Sequence, residues 1–253
     1  CMNEATQRDE LVASLKAEHQ QSAFSSYFKE VIYGALDGIV TTFAVVAGFS
    51  GAALSNETTT QLSFLIVLLF GLANLFADAA SMGLGNFLSV RSEQDQYNAA
   101  RAGEVQELRT NTAREYEETI IILEQKGFSS DDARSLADIY QHNEEYWTDF
   151  MMTHEHELPD PRGENPALNG LATFVSFIIF GSIPLMPFIV FTTVTPAFAF
   201  ILSIIGTFSA LVILGLLKWR VVGDRFGRSL IEVVTVGGVA ALLAYGVGTF
   251  FSL

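Results

Sequence analysis

Apolar residues gather into five long blocks, at 31–54, 62–90, 170–190, 195–217 and 229–252, with polar stretches between them. Each block is long enough to cross a hydrocarbon core of about 30 Å, which takes roughly 20 helical residues. The pattern predicts an all-α membrane protein with five transmembrane helices. No proline interrupts the second block from Leu62 onward, and its helical character runs on through SVRSEQDQYNAARAGEVQELR. TNTARE at 110–115 reads as a capping box, with Thr112 as N-cap and Glu115 three residues on, so a helix is expected to start there and stop at Lys126-Gly127. SSDDARSLADIYQHNEEYWTDFMMTHEHEL restarts with Ser and Asp caps and keeps helical spacing as far as Pro159, with a break near His142-Asn143.

These elements predict a three-helix cytoplasmic unit inserted between spans 2 and 3, with PDPRGENP leading back to the membrane. The resulting domain map is 1–30 N-terminal segment, 31–90 spans 1 and 2, 91–165 inserted helical metal-binding unit and 170–253 spans 3 to 5. Pro184 and Pro187 are expected to bend span 3. The Gly, Ser and Thr of spans 3 to 5 are expected to let helices approach closely.

Charge adds an orientation. All 14 Lys and Arg lie in 1–30, 91–169 or 218–228, and the connections SNETTTQ at 55–61 and the turn before Pro196 carry none. Basic residues on alternate sides only follow the positive-inside rule, which puts the N-terminus in the cytoplasm and the C-terminus across the membrane. Residues 1–30 are polar and lack an apolar signal core, so the first span is expected to stay in the protein. The net charge of the 253 residues is −14, and residues 91–169 hold 18 acidic against 7 basic ones, a net −11. The charge of that segment disfavours nucleic acid and anionic lipid headgroups as its partners and favours cations. The single cysteine, Cys1, cannot form an internal disulfide.

Glu104 and Glu107, then Glu115 and Glu118, are two carboxylate pairs at i, i+3, each on one helix face. Two like charges at 4 Å repel by ~4 kcal/mol at an effective dielectric of 20, so facing pairs make sense chiefly around a cation. The competing reading is a solvated acidic face, with Glu115 explained by its capping box. In FMMTHEHEL, Met151 and Met152 precede Glu155, and Met152, Glu155 and His156 fall on one face at i, i+3, i+4. Hard carboxylates, soft thioethers and intermediate imidazole suit Fe(II) or a neighbouring transition metal better than Ca or Mg. Met also simply fills cores, and His154 and His156 stand as extra ligands or as surface residues.

In the spans, Asn74, Asp78 and Met82 recur every four residues and line one stripe of the second helix. A charge near the bilayer centre costs at least ~2.5 to 3.5 kcal/mol and usually faces a polar pathway. Asp37 and Asp78 are the carboxylates placed well inside the spans, while Glu30 and Glu232 lie near the ends, within reach of water. Span 1 runs outward and span 2 inward, which brings Asp37 and Met82 to similar depths, with Asp78 about one turn deeper.

YGALDGIVTTFAVVAGFSGA at Tyr33 to Ala52, SMGLGNFLSV, GSIPLMPF and the end from LLKWRVVGDRFGRS through GGVAALLAYGVG together resemble the vacuolar iron transporter family, over nearly all the chain from Val31. Glu104, Glu107, Glu115 and Glu118 followed by Met151, Met152 and Glu155 are similar to that family's metal-binding domain. The resemblance implies a homodimer of five-span protomers exchanging Fe(II) for protons and moving metal out of the cytosol, with Mn(II), Co(II) or Zn(II) as further substrates and no prosthetic group. It implies that Asp37 and Met82 line the translocation route and that the Glu and Met cluster gathers metal at its mouth. The membrane would be vacuolar in a eukaryote and the plasma membrane in a prokaryote. Asn74 and Asn86 depart from the pattern, standing where many relatives carry acids, and Asp78 supplies a carboxylate one turn from Asn74.

Two rival classes are a membrane-anchored ferritin-like iron oxidase and a metal sensor or buffer. Di-iron bundles typically use Glu-x-x-His. Here Lys16, Ile139, Met151 and Thr153 stand three residues before the four histidines, which disfavours the oxidase. Asp37 and Asp78 argue against a passive anchor.

Overall fold

The computed structural model describes residues 27–53, 60–191, 195–223 and 226–250, with the isolated positions Arg8, Leu11 and Ser14. Most of the N-terminal segment, most of SNETTTQ, the turn before Pro196 and part of the 218–228 connection lie outside the described residues. The described residues are helical throughout, without strands. In chain order the helices are α1 (Phe28–Ala53), α2 (Thr60–Thr110), α3 (Thr112–Gln125), α4 (Ser130–Tyr140), α5 (Glu144–His154), α6 (Pro166–Gly181), a 3-10 turn (Ile183–Leu185), α7 (Met186–Val190), α8 (Pro196–Val222) and α9 (Phe226–Phe250).

Among the described residues, four stretches are long and apolar enough to cross a membrane: Phe28–Phe49, a window within Leu65–Thr110, Pro166–Val190 and Ala197–Val221. The fifth predicted block falls on α9, whose apolar part is Leu230–Ala240. The second block does continue as one helix of 51 residues to Thr110. Pro184 and Pro187 sit where the third block breaks into α6, the 3-10 turn and α7, because neither can donate to the helical ladder.

The chain divides into two compact units, Phe87–Pro166 and the remainder. In the apolar unit, α1 is buried on two sides. Phe43, Val46 and Ala47 pack with Val67, Leu75, Ala79 and Phe177. Ala35 and Ile39 pack with Ala210, Leu211, Leu214 and Val233. Helices in lipid gain no hydrophobic term on meeting, so close van der Waals fit must hold them. Gly34 and Gly38 supply it as a small-xxx-small pair. A Cβ on Gly38 would stand 2.6 Å from the Phe177 carbonyl oxygen, and one on Gly34 2.5 Å from that of Thr173. On α2, a Cβ on Gly83 would stand 3.0 Å from the Gly170 carbonyl oxygen, so α6 is gripped between α1 and α2.

The acidic unit has its own core of Leu108, Ile120, Leu123, Ala133, Ala137, Trp147, Phe150 and Met151. Each Leu, Ile, Phe or Met side chain among them contributes about 1.5–3 kcal/mol when removed from water. Its turns are set locally. Gly127 takes the left-handed conformation, φ +100°, that ends α3 at the predicted place. Ser129 caps α4 by accepting from the Asp132 N–H, and Asn143 caps α5 by accepting from Tyr146, so the expected break at His142-Asn143 is present. The capping box at Thr112 is not. Asn111 is the N-cap, without a side-chain bond, and the Thr112 hydroxyl donates back to the Leu108 carbonyl at 2.6 Å. Glu115 points inward and caps nothing.

Candidate metal site

The acidic unit gathers carboxylates from three elements, burying Glu104 and Glu115 and leaving Glu155 exposed. Val90, Tyr97, Glu104 and Leu108 are all buried and recur at helical spacing along α2, so Glu104 holds a place in an otherwise apolar stripe. On α3 the inward face carries Glu115, Thr119 and Leu123, at i, i+4 and i+8, with Glu115 and Thr119 fully buried. Glu118 lies beside Glu115 and is half-buried.

The third contribution comes from the end of α5. The helix stops at His154, so the expected single face of Met152, Glu155 and His156 does not form. The His156 N–H instead reaches the Met151 carbonyl, and that of Leu158 the Met152 carbonyl, around Glu157 at φ 53°. A non-glycine residue in this left-handed region is uncommon and is held there by its surroundings. A strap after the turn is tied to α2. Gln94 donates to the Pro161 and Glu164 carbonyls, and Arg162, paired with Asp149 and Asp160, lies over the Tyr97 ring.

This arrangement produces two triads whose ligand atoms lie within 4.8 Å of one another, Glu115 with Glu118 and Glu155, and Glu104 with Glu155 and His156. His156 Nε2 is 3.1 Å from Glu104 Oε2. Both carboxylate oxygens of Glu115, Oε1 of Glu104 and Oε2 of Glu118 are buried without a hydrogen-bond partner among the described residues. Leaving a buried charged acceptor unmatched costs at least about 1–3 kcal/mol, so four such atoms on neighbouring carboxylates make this cluster a candidate cation site.

The electrostatics agree. Burial, followed by the charges of Glu104, Glu118, Glu155 and Glu107, pushes the Glu115 carboxyl from 4.5 up to about 7. Glu104 is raised by burial and drawn partly back by its bond to His156. Glu155, although exposed, is raised by partial desolvation and then by Glu104. A divalent cation would relieve all three.

The remaining predicted ligands are placed differently. Glu107 is exposed and outside both triads, although its charge acts on Glu104 and Glu115. Met151 and Met152 are fully buried, Met151 within the apolar core. The Thr119 hydroxyl shares its proton between the Glu115 carbonyl at 2.8 Å and Met151 Sδ at 3.4 Å, and it accepts from the Trp147 indole at 2.7 Å. His154 packs edge-on against Phe150, ring centroids 4.7 Å apart, and joins neither triad. Sequence reasoning missed the Thr119 and Trp147 bonds and the strap. A carboxylate within the Val90, Tyr97, Leu108 stripe was the signal available for the burial of Glu104.

In the apolar unit, Asn74 Nδ2 donates to Asp78 Oδ2 at 2.7 Å. Asp37 lies between Gly34 and Gly38 in sequence and is close enough to Asp78 for their charges to interact. Met82 packs at the border of the core. Asn86 donates to Thr173 Oγ1 at 2.8 Å and to the Asn169 carbonyl, ties that an ionised acid at this position would not make. Glu30, expected near water, is buried in the first turn of α1, with Oε2 unbonded among the described residues. The positive end of the α1 dipole favours a carboxylate at that place.

Residues 28–249 match the family model described as VIT family. The chain is 36% identical over 251 residues to a vacuolar iron transporter of Toxoplasma gondii, covering 96% of this chain and 80% of the relative. It is 32% identical over 231 residues to vacuolar iron transporter 1 of rice, covering 90% and 87%. It is 30% identical over 234 residues to vacuolar iron transporter 1 of Arabidopsis thaliana, covering 92% and 90%.

Proposed function

The chain belongs to the VIT family, and on that premise we propose that it is a divalent-metal transporter that exchanges Fe(II) for protons and carries the metal out of the cytosol. It works as a membrane transporter and not as an enzyme, in line with the names of its relatives. The protein acts as a homodimer of five-span protomers, α9 being the fifth span, with the N-terminus and the acidic unit in the cytoplasm, in the vacuolar membrane if the host is a eukaryote. Mn(II), Co(II) and Zn(II) are further substrates.

The observation that supports this reading most directly is Glu115, a fully buried carboxylate with two unpartnered oxygens beside Glu118 and Glu155. Metal and proton compete for such a group, so a cluster that gathers cations also responds to pH. Within the membrane, Asp37, Asp78 and Met82 pass the ion on. A carboxylate that alternately holds a metal ion and a proton couples the two fluxes, and Asn74 orients the Asp78 carboxylate through its amide. Met151 and Met152, buried in the same unit, would favour Fe(II) over Ca(II) and Mg(II) if their polarisable sulfurs join the carboxylates when metal binds.

The test is Fe(II) flux into proteoliposomes under an imposed pH gradient. Wild type is expected to accumulate Fe(II) only with the gradient, and Asp37→Asn to stop it. Undiminished flux in that variant would overturn the pathway assignment.

A further inference from the structure

We propose that His156 is a metal ligand through Nε2, forming with Glu104 and Glu155 a mixed nitrogen and oxygen subsite that selects borderline divalent metals such as Zn(II) and Co(II) over Mn(II). This rests on the reading of the acidic cluster as a metal-gathering site and assigns its selectivity to one residue.

Four observations converge on it. His156 Nε2 lies 3.1 Å from Glu104 Oε2, and the Glu104 side chain is 2% exposed. The other Glu104 oxygen is buried and unpartnered among the described residues, so this carboxylate keeps unused acceptor capacity inside the acidic unit. Glu155 is common to both triads, which places a harder, all-carboxylate subsite next to the mixed one. Finally, the left-handed turn at Glu157 and the Gln94 and Arg162 ties fix the chain where His156 leaves α5.

The chemistry follows from the donor set. With an ionised Glu104, the contact to Nε2 is an N–H donating to a carboxylate, and a cation binding Nε2 displaces that proton, to solvent from an imidazolium or to Nδ1 by tautomer exchange in the neutral ring. An imidazole nitrogen suits Zn, Co and Fe, whereas an all-oxygen set is equally open to Mn and Mg. His154, two residues earlier, is held against Phe150 and takes no part.

The experiment titrates ZnCl2 and MnCl2 calorimetrically into the full chain in detergent, as wild type, His156→Gln, His154→Gln and Glu115→Gln, with melting curves for each. His156→Gln is expected to weaken Zn(II) binding ~10-fold or more and Mn(II) less than ~3-fold, since only the softer metal loses a preferred donor. His154→Gln is expected to change neither, and bound Co(II) should show an altered visible spectrum in His156→Gln but not in His154→Gln. Equal weakening for both metals, or none, with an unchanged Co(II) spectrum, would overturn the role of His156. Wild type that binds neither metal, or Glu115→Gln that binds both as wild type does, would overturn the underlying cluster reading instead.

Discussion

Asp78 and Glu115 are both carboxylates drawn away from bulk water, and their surroundings treat them in opposite ways. Asp78 receives a 2.7 Å hydrogen bond from the amide of Asn74, one turn away on the same helix. Glu115 receives none at either oxygen. The nearest hydroxyl along its own helix, Thr119, is turned to the Glu115 backbone carbonyl and Met151. The two units differ likewise in what holds them. The apolar unit depends on glycines that bring backbones together, the acidic unit on a side-chain core with buried carboxylates set beside it. A carboxylate with a built-in donor is stable alone, whereas one without is stable only with a cation or a proton, and that difference marks where cargo is expected to rest.

The largest effect should come from the helix packing. Gly38→Val drives a side chain into the Phe177 backbone, which cannot yield, and is expected to cost about 3 kcal/mol or more, seen as aggregation or a sharply lowered melting temperature. Gly103→Val in the acidic unit, where a Cβ meets nothing within 4 Å, should leave the melt nearly unchanged. Equal losses at the two glycines would erase the contrast between the units.

Next in size is Glu115→Gln, which removes an unmatched charge. It should stabilise the metal-free protein by about 1–3 kcal/mol at pH 8 and abolish the rise in melting temperature on adding metal. A lowered metal-free stability would mean that Glu115 has a partner after all.

The same carboxylate sets a pH dependence. Its folded value, about 7, lies above its ordinary 4.5, so the folded state holds the proton more tightly than the unfolded one. Its stabilising contribution is complete below about pH 4.5 and is lost as pH rises through about 7. With chelator present, melting temperature should therefore fall across that window, and saturating metal should flatten the fall. A flat profile in chelator would contradict the burial of an unpartnered Glu115.

Smaller still, Asn74→Ala leaves Asp78 without its donor, at a cost of about 1 kcal/mol, and should slow Fe(II) flux without changing metal binding by the acidic unit. Least affected should be Glu107→Gln, an exposed residue outside both triads, with metal affinity changed less than ~3-fold. A larger loss would bring Glu107 into the site.

The helices were legible because an unbroken apolar block without proline, followed by polar residues of high helix propensity, leaves the chain no reason to stop before Thr110. Gly127, Ser129 and Asn143 announced their turns through familiar local chemistry. The site was half legible. Glu104, Glu115 and Glu118 stand out by spacing, but Thr112 and Glu115 also fit a capping box, and local pattern cannot tell whether a glutamate reaches back to a backbone N–H or inward to a cavity. Tertiary packing of Thr119 and Leu123 on the same face decided it. The end of α5 was hidden for another reason. The residue that leaves the helix is Glu157, not a glycine, so the sequence carries no stop sign where the backbone turns left-handed.

That turn has a kinetic side. Glu155 and His156 are presented by chain that has already left α5, while Glu104, Glu115 and Glu118 project from intact helices. If the acidic unit binds metal as proposed, freeing the ion is expected to need only this one turn and its strap to open, a local event far cheaper than unwinding a helix. Cargo residence time would then follow the opening of the Glu157 turn, which suits a carrier that must release its cargo as readily as it takes it up.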